Sequence, residues 1–79
     1  MEHFGNRLKK IRVKRRLTQL QAAKELAKVS CLARCKSKDF SRYETGYMYP
    51  SVYKLHDICI ALNVSADFLL GLSDKEDLK

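Results

Sequence analysis

The stretch with the most chemical content is Lys36-Ser37-Lys38-Asp39-Phe40-Ser41-Arg42-Tyr43-Glu44-Thr45-Gly46. Lys38 and Arg42 are four residues apart, so on a helix they share a face, with Ser37 and Ser41 beside them. Phe40 and Tyr43, three apart, fall on a different face. The pattern predicts a short helix held down by two aromatics that directs cations and hydroxyls outward. Ser37 suits the N-cap, Asp39 the positive end of the helix dipole and Gly46 the terminator. Such a face fits a groove lined with hydrogen-bond acceptors. No Gly-rich phosphate loop and no nucleophile–base–orienter set accompanies it. Ser, His and Asp are scattered over a chain too small for a deep pocket, so the sequence reads neither as an enzyme nor as a cofactor protein.

Other elements must position this helix. Phe4, Leu8 and Ile11 recur at i, i+4 and i+7 and predict a first helix from about Phe4 to Arg16. Its remaining faces hold Arg7, Lys9, Lys10, Arg12, Lys14, Arg15 and Arg16, a charge run that reads as solvated. Thr18 and Gln21 form a capping box, with Leu17 and Ala22 placed as a hydrophobic staple. A second helix therefore starts at Thr18 and buries Ala22, Ala23 and Leu26, alanines small enough for another helix to pack close. Ala27 to Cys35 holds no Gly or Pro, which leaves continued helix and long turn both open.

Tyr47 to Ser51 reads as a loop containing Pro50, the chain's only proline. Val52, Leu55, Ile58, Cys59 and Leu62 predict a fourth helix with those residues on its core face. Asn63 ends it, Ser65 caps a short fifth helix that turns Phe68 and Leu69 inward, and Gly71 stops that one. Residues 1–72 read as one domain and Ser73 to Lys79 as a polar, frayed tail. Strand alternation, repeats and low-complexity tracts are absent from the sequence. The expected class is all-α, with five short helices.

Charge adds the direction. Through Arg42 there are 13 Lys and Arg against 3 Asp and Glu (+10), and from Tyr43 onward 3 against 6 (−3), giving the net +7. A basic half joined to a mildly acidic half suggests a polyanion-binding face with a solvated back, and points the central helix at the major groove of DNA. No apolar run approaches a membrane span, and the start Met1-Glu2-His3-Phe4-Gly5-Asn6 is not a signal-peptide core. A cytoplasmic, nucleoid-associated protein is expected. The three cysteines argue against a disulfide framework. Cys31 and Cys35 lack the usual zinc spacing and an evident fourth ligand, and His3 and His56 stand alone, so no metal site is assigned. Cys59 reads as a packed core residue.

Arg7-Leu8-Lys9-Lys10-Ile11-Arg12, Leu17-Thr18-Gln19, Phe40-Ser41-Arg42-Tyr43-Glu44-Thr45-Gly46, Pro50-Ser51 and Leu62-Asn63-Val64-Ser65-Ala66-Asp67-Phe68-Leu69-Leu70-Gly71 occur in this order. Together they resemble the lambda-repressor-like helix-turn-helix family of Xre/Cro-type regulators, from about Phe4 to Gly71. The resemblance implies a compact five-helix DNA-binding domain whose second helix crosses the DNA backbone and whose third reads base edges. It implies a transcriptional regulator, foremost a repressor, bound to a palindromic operator as a homodimer. Residue by residue, Gln19 takes a phosphate contact. Ser37, Lys38 and Arg42 take the base-reading positions, with Lys36 and Ser41 as further DNA-facing residues. Thr45 and the loop from Tyr47 to Tyr49 take backbone-contacting positions. Arg12 and Glu44 match an ion pair that ties helix 1 to the end of helix 3. The chain departs from the family pattern between Leu26 and Phe40, where the helix 2–helix 3 connection is extended and lacks a Gly turn.

Arg42 has two readings, a bidentate grip on guanine O6 and N7 worth ~1–3 kcal/mol of discrimination, or a phosphate contact that positions without specifying. Arg34, Lys36 and Lys38 read as phosphate neutralisers, which predicts salt-sensitive binding. Asp39 reads as a dipole partner unless it accepts from a cytosine amine. The Arg12–Glu44 pair reads as structural, so that Arg12→Ala should harm folding more than DNA contact. Ile60, Leu70 and Leu72 are left over from the core and offer a dimer surface. The alternative is a protein-interaction adaptor or antitoxin-like module on the same fold, docking a protein partner through the Cys31–Cys35 region.

Overall fold

Leu8 and Ile11 are fully buried on the inner side of α1 (Phe4–Lys14) in the computed structural model, which describes residues 3–29 and 37–76 apart from the Ser37 side chain. His3 caps α1, its Nδ1 accepting from the Gly5 amide at 3.0 Å. The helix stops at Lys14, two residues short of the expected Arg16, because Arg16 takes a left-handed φ of 60°. Its neighbour Leu17 then donates back to the Arg12 carbonyl at 3.1 Å.

Thr18 and Gln21 make the expected reciprocal capping bonds at 2.9 and 3.1 Å and start α2 (Gln19–Val29). Ala22, Ala23 and Leu26 are buried on it, and α2 packs against both α3 (Ser37–Thr45) and α4 (Val52–Leu62). Ser51 caps α4 through the Lys54 amide, and Asn63 closes it in the left-handed region. Ser65 caps α5 (Ala66–Leu70), which Gly71 ends at φ 82°. α1 lies against α3 and α5, and α5 touches α4. The described residues are thus all-helical, five helices around one core of Leu8, Ile11, Leu26, Phe40, Ile58, Leu62, Val64 and Leu69 with their neighbours. Among them no helix is long and apolar enough to cross a membrane.

Three further expectations fail, two of them because a long-range contact decides what local pattern cannot. Val52 is 80 % exposed, since it is the first residue of α4 and projects beyond the buried part of that helix. Arg7, assigned to a solvated face, is buried. Its Nη1 donates to the carbonyls of Phe68 (3.0 Å) and Ser73 (3.3 Å), and its guanidinium lies 4.8 Å from the Phe68 ring centroid. Arg7 thereby adds a second donor to the Phe68 carbonyl, which also accepts from the Gly71 amide, and ties α1 to the chain just after α5 at Ser73. The tail is anchored at least through Glu76. Ser65 donates two bonds to it, from its amide to the Glu76 carbonyl (2.8 Å) and from its hydroxyl to the Lys75 carbonyl (3.0 Å). Lys14 pairs with the Glu76 carboxylate.

α1 and α3 approach so closely at Gly5 that a Cβ there would overlap the Glu44 carbonyl oxygen and sit 2.7 Å from the Tyr43 oxygen. Backbone on both sides leaves nothing to yield. Gly5→Ala is therefore expected to destabilise the chain by about 2 kcal/mol, read as a lower urea midpoint with unchanged slope. Exposed Asn6→Ala, one residue on, should stay within about 0.5 kcal/mol of the parent.

Candidate nucleic-acid interface

Phe40 and Tyr43 are buried under α3, as their spacing predicts, and together with Glu44 they fix its inner side. The Glu44 side chain is only 4 % exposed and its charge is met from two helices. Arg12 of α1 forms a fork, Nε donating to Oε2 at 2.5 Å and Nη2 to Oε1 at 3.2 Å. Its Nη1 also donates to the Leu17 carbonyl at 2.8 Å. Gln19, the first residue of α2, donates from Nε2 to Glu44 Oε1 at 3.1 Å. The expected ion pair is therefore present, and Gln19 joins it as a third member that sequence alone did not place there. Gln19 is half-buried, and its amide is held at the C-terminal end of α3.

On the opposite side of α3, Lys38, Arg42 and Thr45 are exposed and Ser41 is half-buried. Arg42 Nη1 lies 3.9 Å from Asp39 Oδ1 one turn back. Its guanidinium carbon is 5.7 Å from the Tyr47 ring centroid. Thr45 donates its hydroxyl to the Arg42 carbonyl at 3.2 Å, so part of its polar capacity closes the helix. Tyr49 is turned toward α1, where its hydroxyl hydrogen-bonds His3 Nε2 at 2.8 Å and its ring meets Phe4 edge-on. Because Nδ1 of His3 accepts from Gly5, Nε2 carries the proton and donates to Tyr49. Lys38, Ser41, Arg42 and Tyr47 thus gather on α3 and its exit, while Gln19 is held by Glu44 on the inner side of the helix. Lys36, the Ser37 side chain, Arg34 and the Cys31–Cys35 region lie outside the described residues.

The basic run of α1 contributes less to this face than its charge suggests. Arg7 and Arg12 are engaged as above, and Lys14 is paired with Glu76. Arg15 donates from Nε to the Leu62 carbonyl and from Nη2 to the Asn63 carbonyl, at 3.0 and 2.9 Å. It closes α4 as Arg7 closes α5. Sequence reasoning missed both roles, and the only available signal was arginine rather than lysine at those positions, since a planar fork such as that of Arg15 meets two carbonyls at once.

A second surface is apolar. Val52, Leu55, His56, Cys59, Ile60 and Ala66 line a groove between α4 and α5, and Leu70 and Leu72 are exposed nearby in sequence. Burial pushes the Cys59 thiol above its usual range, which disfavours the reactive thiolate and fits a packing role. Among the described residues no group of three or more His, Cys, Asp or Glu could hold a metal ion. No family model matches this chain, and neither a curated protein nor a solved structure does.

Removing Arg12 would leave a buried carboxylate with only a neutral amide, so Arg12→Ala is expected to cost about 3 kcal/mol, seen as a large fall in thermal midpoint. Gln19→Ala removes a neutral donor to the same carboxylate and should cost about 1–2 kcal/mol. Thermal unfolding of the two variants beside the parent tests the ranking.

Proposed function

We propose that this chain is a sequence-specific DNA-binding regulator, in its simplest form a repressor, that sets α3 in the major groove of a palindromic operator as a homodimer. The reading unites the five-helix arrangement, the resemblance to the lambda-repressor-like helix-turn-helix pattern and the net charge of +7. The single observation that carries it is the division of α3. Phe40, Tyr43 and Glu44 clamp one side, while Lys38 and Arg42 are turned to solvent on the other with no buried partner to satisfy. A rigid helix bearing outward cations suits insertion between two phosphate backbones. Occupying the operator would exclude polymerase sterically, and a location in the cytoplasm on the nucleoid follows.

In this reading the second protomer covers the α4–α5 groove. Its lining has no Lys, Arg, Asp or Glu, so two copies that repel through their net charge could meet there. Apolar and self-complementary surfaces suit a two-fold contact. The same groove also favours the second reading, a protein-interaction adaptor. A partner held by apolar contact survives a pull-down at high salt, whereas DNA binding collapses under those conditions.

Selection of bound sequences from random duplex DNA tests the first reading. The parent should return a palindromic motif, and Arg42→Ala should relax one base pair of each half-site by ~1–3 kcal/mol. Lys38→Ala should weaken all sequences alike and lower the salt slope by about 1 per protomer. Motif-free binding by the parent would leave only a phosphate contact and shift weight to the adaptor. Ile60→Glu, half-exposed in the groove, should abolish cooperative occupancy of the two half-sites while the thermal midpoint holds, and unchanged cooperativity would move the dimer surface elsewhere.

A further inference from the structure

The exit of α3 is a tight left-handed turn with a defined bond pattern. Gly46, at φ 80°, donates to the Tyr43 carbonyl at 3.3 Å, and Tyr47 donates to the Arg42 carbonyl at 3.0 Å. These two bonds are the Schellman motif, in which the residue after the left-handed position is brought against the residue five positions earlier. An apolar contact between those two side chains commonly accompanies the motif. Here the pair is Tyr47 and Arg42, and the contact is a guanidinium 5.7 Å from a phenol ring centroid, within cation–π range. Arg42 also has Asp39 Oδ1 at 3.9 Å from Nη1. The ring itself is otherwise unused, since Tyr47 is 78 % exposed.

We infer that Tyr47 is a positioning residue for Arg42, holding its guanidinium so that α3 reads guanine rather than merely neutralising phosphate. The inference rests on the DNA-binding reading and deepens it. A phosphate contact needs only a cation nearby, and a freely rotating arginine supplies that. Bidentate recognition of O6 and N7 needs two N–H vectors aimed in one plane, so it gains from a side chain whose rotamer is already restricted. The Tyr47 ring restricts it, with the Asp39 carboxylate 3.9 Å from Nη1, and donors beyond that nitrogen remain for the base edge. The backbone enforces this placement. Gly46 permits the turn, and the turn puts Tyr47 beside Arg42 whatever the rest of the loop does.

The test is base preference at the Arg42-dependent position, measured by competition between matched and single-substituted duplexes for the parent, Tyr47→Phe, Tyr47→Ala, Arg42→Ala and the Arg42→Ala/Tyr47→Ala double variant. Tyr47→Phe keeps the π face and should keep the preference. Tyr47→Ala should relax it about two- to fivefold at that base pair, with smaller effects at others. In the Arg42→Ala background Tyr47→Ala should add nothing there. Should Tyr47→Ala impair folding, Tyr47→Leu keeps the apolar contact of the turn without the π face and should relax the preference in the same way. Uniform weakening by both Tyr47→Phe and Tyr47→Ala, at every base alike, would make the phenol a backbone contact and overturn the role. A parent motif that survives Tyr47→Ala unchanged overturns it too, while leaving the DNA reading intact. A parent with no motif at all removes both.

Discussion

The buried carboxylate of Glu44 is the constraint on which the arrangement of the first three helices depends. It stands one residue before the end of α3, where the helix dipole disfavours negative charge, and it is almost completely removed from water. A charge in that position is tolerable only with close donors of fixed geometry. Arg12 from α1 and Gln19 from α2 supply them, so one side chain sets the relative placement of three helices. The Gly5 approach works on the same junction by letting α1 come within backbone contact of Tyr43 and Glu44. Together they leave α3 little freedom to tilt.

That junction also links folding to the proposed recognition. Arg42 lies two residues before Glu44, and the Tyr47 turn begins two residues after it. Gln19, whose family-implied role is a phosphate contact, is oriented by the same carboxylate that fixes α3. If the chain binds DNA as proposed, its backbone contact and its base-reading contact are therefore positioned by one shared group.

The arginines of α1 and its C-cap alter how the charge should be read. The net value of +7 stands, but Arg7 and Arg15 are spent on the C-terminal carbonyls of α5 and α4, and Arg12 on Glu44. These are donors to backbone carbonyls near helix ends and to a buried anion, which a lysine would serve less well. A count of basic residues thus overstates how many cations face a polyanion. Among the described residues Lys9, Lys10, Arg16, Lys24, Lys38 and Arg42 stay exposed, while the apolar groove of α4 and α5 offers a contact of different chemistry.

Much of the fold was legible because it is written in residues close together along the chain. The capping box of Thr18 and Gln21, the Ser65 cap, the left-handed Asn63, the Gly46 and Gly71 terminators and the burial of Phe40 and Tyr43 all rest on spacings within a turn or two of helix. The outward placement of Lys38 and Arg42 follows from the same periodicity, so the centre of the candidate site could be read from sequence. The Arg12–Glu44 pair was reached only through the family resemblance, because no local pattern joins residues 32 apart. What tertiary structure alone decided is the fate of polar groups and of helix ends. Arg7 is buried against carbonyls and a ring that the fold brings up from 61 and more residues away, Ser65 ties down the tail at Lys75 and Glu76, and Val52 projects past the buried part of α4. Helical periodicity assigns each side chain a direction, but only packing determines what is met there, since an unpaired carbonyl or buried charge draws its partner from wherever the folded chain brings one near.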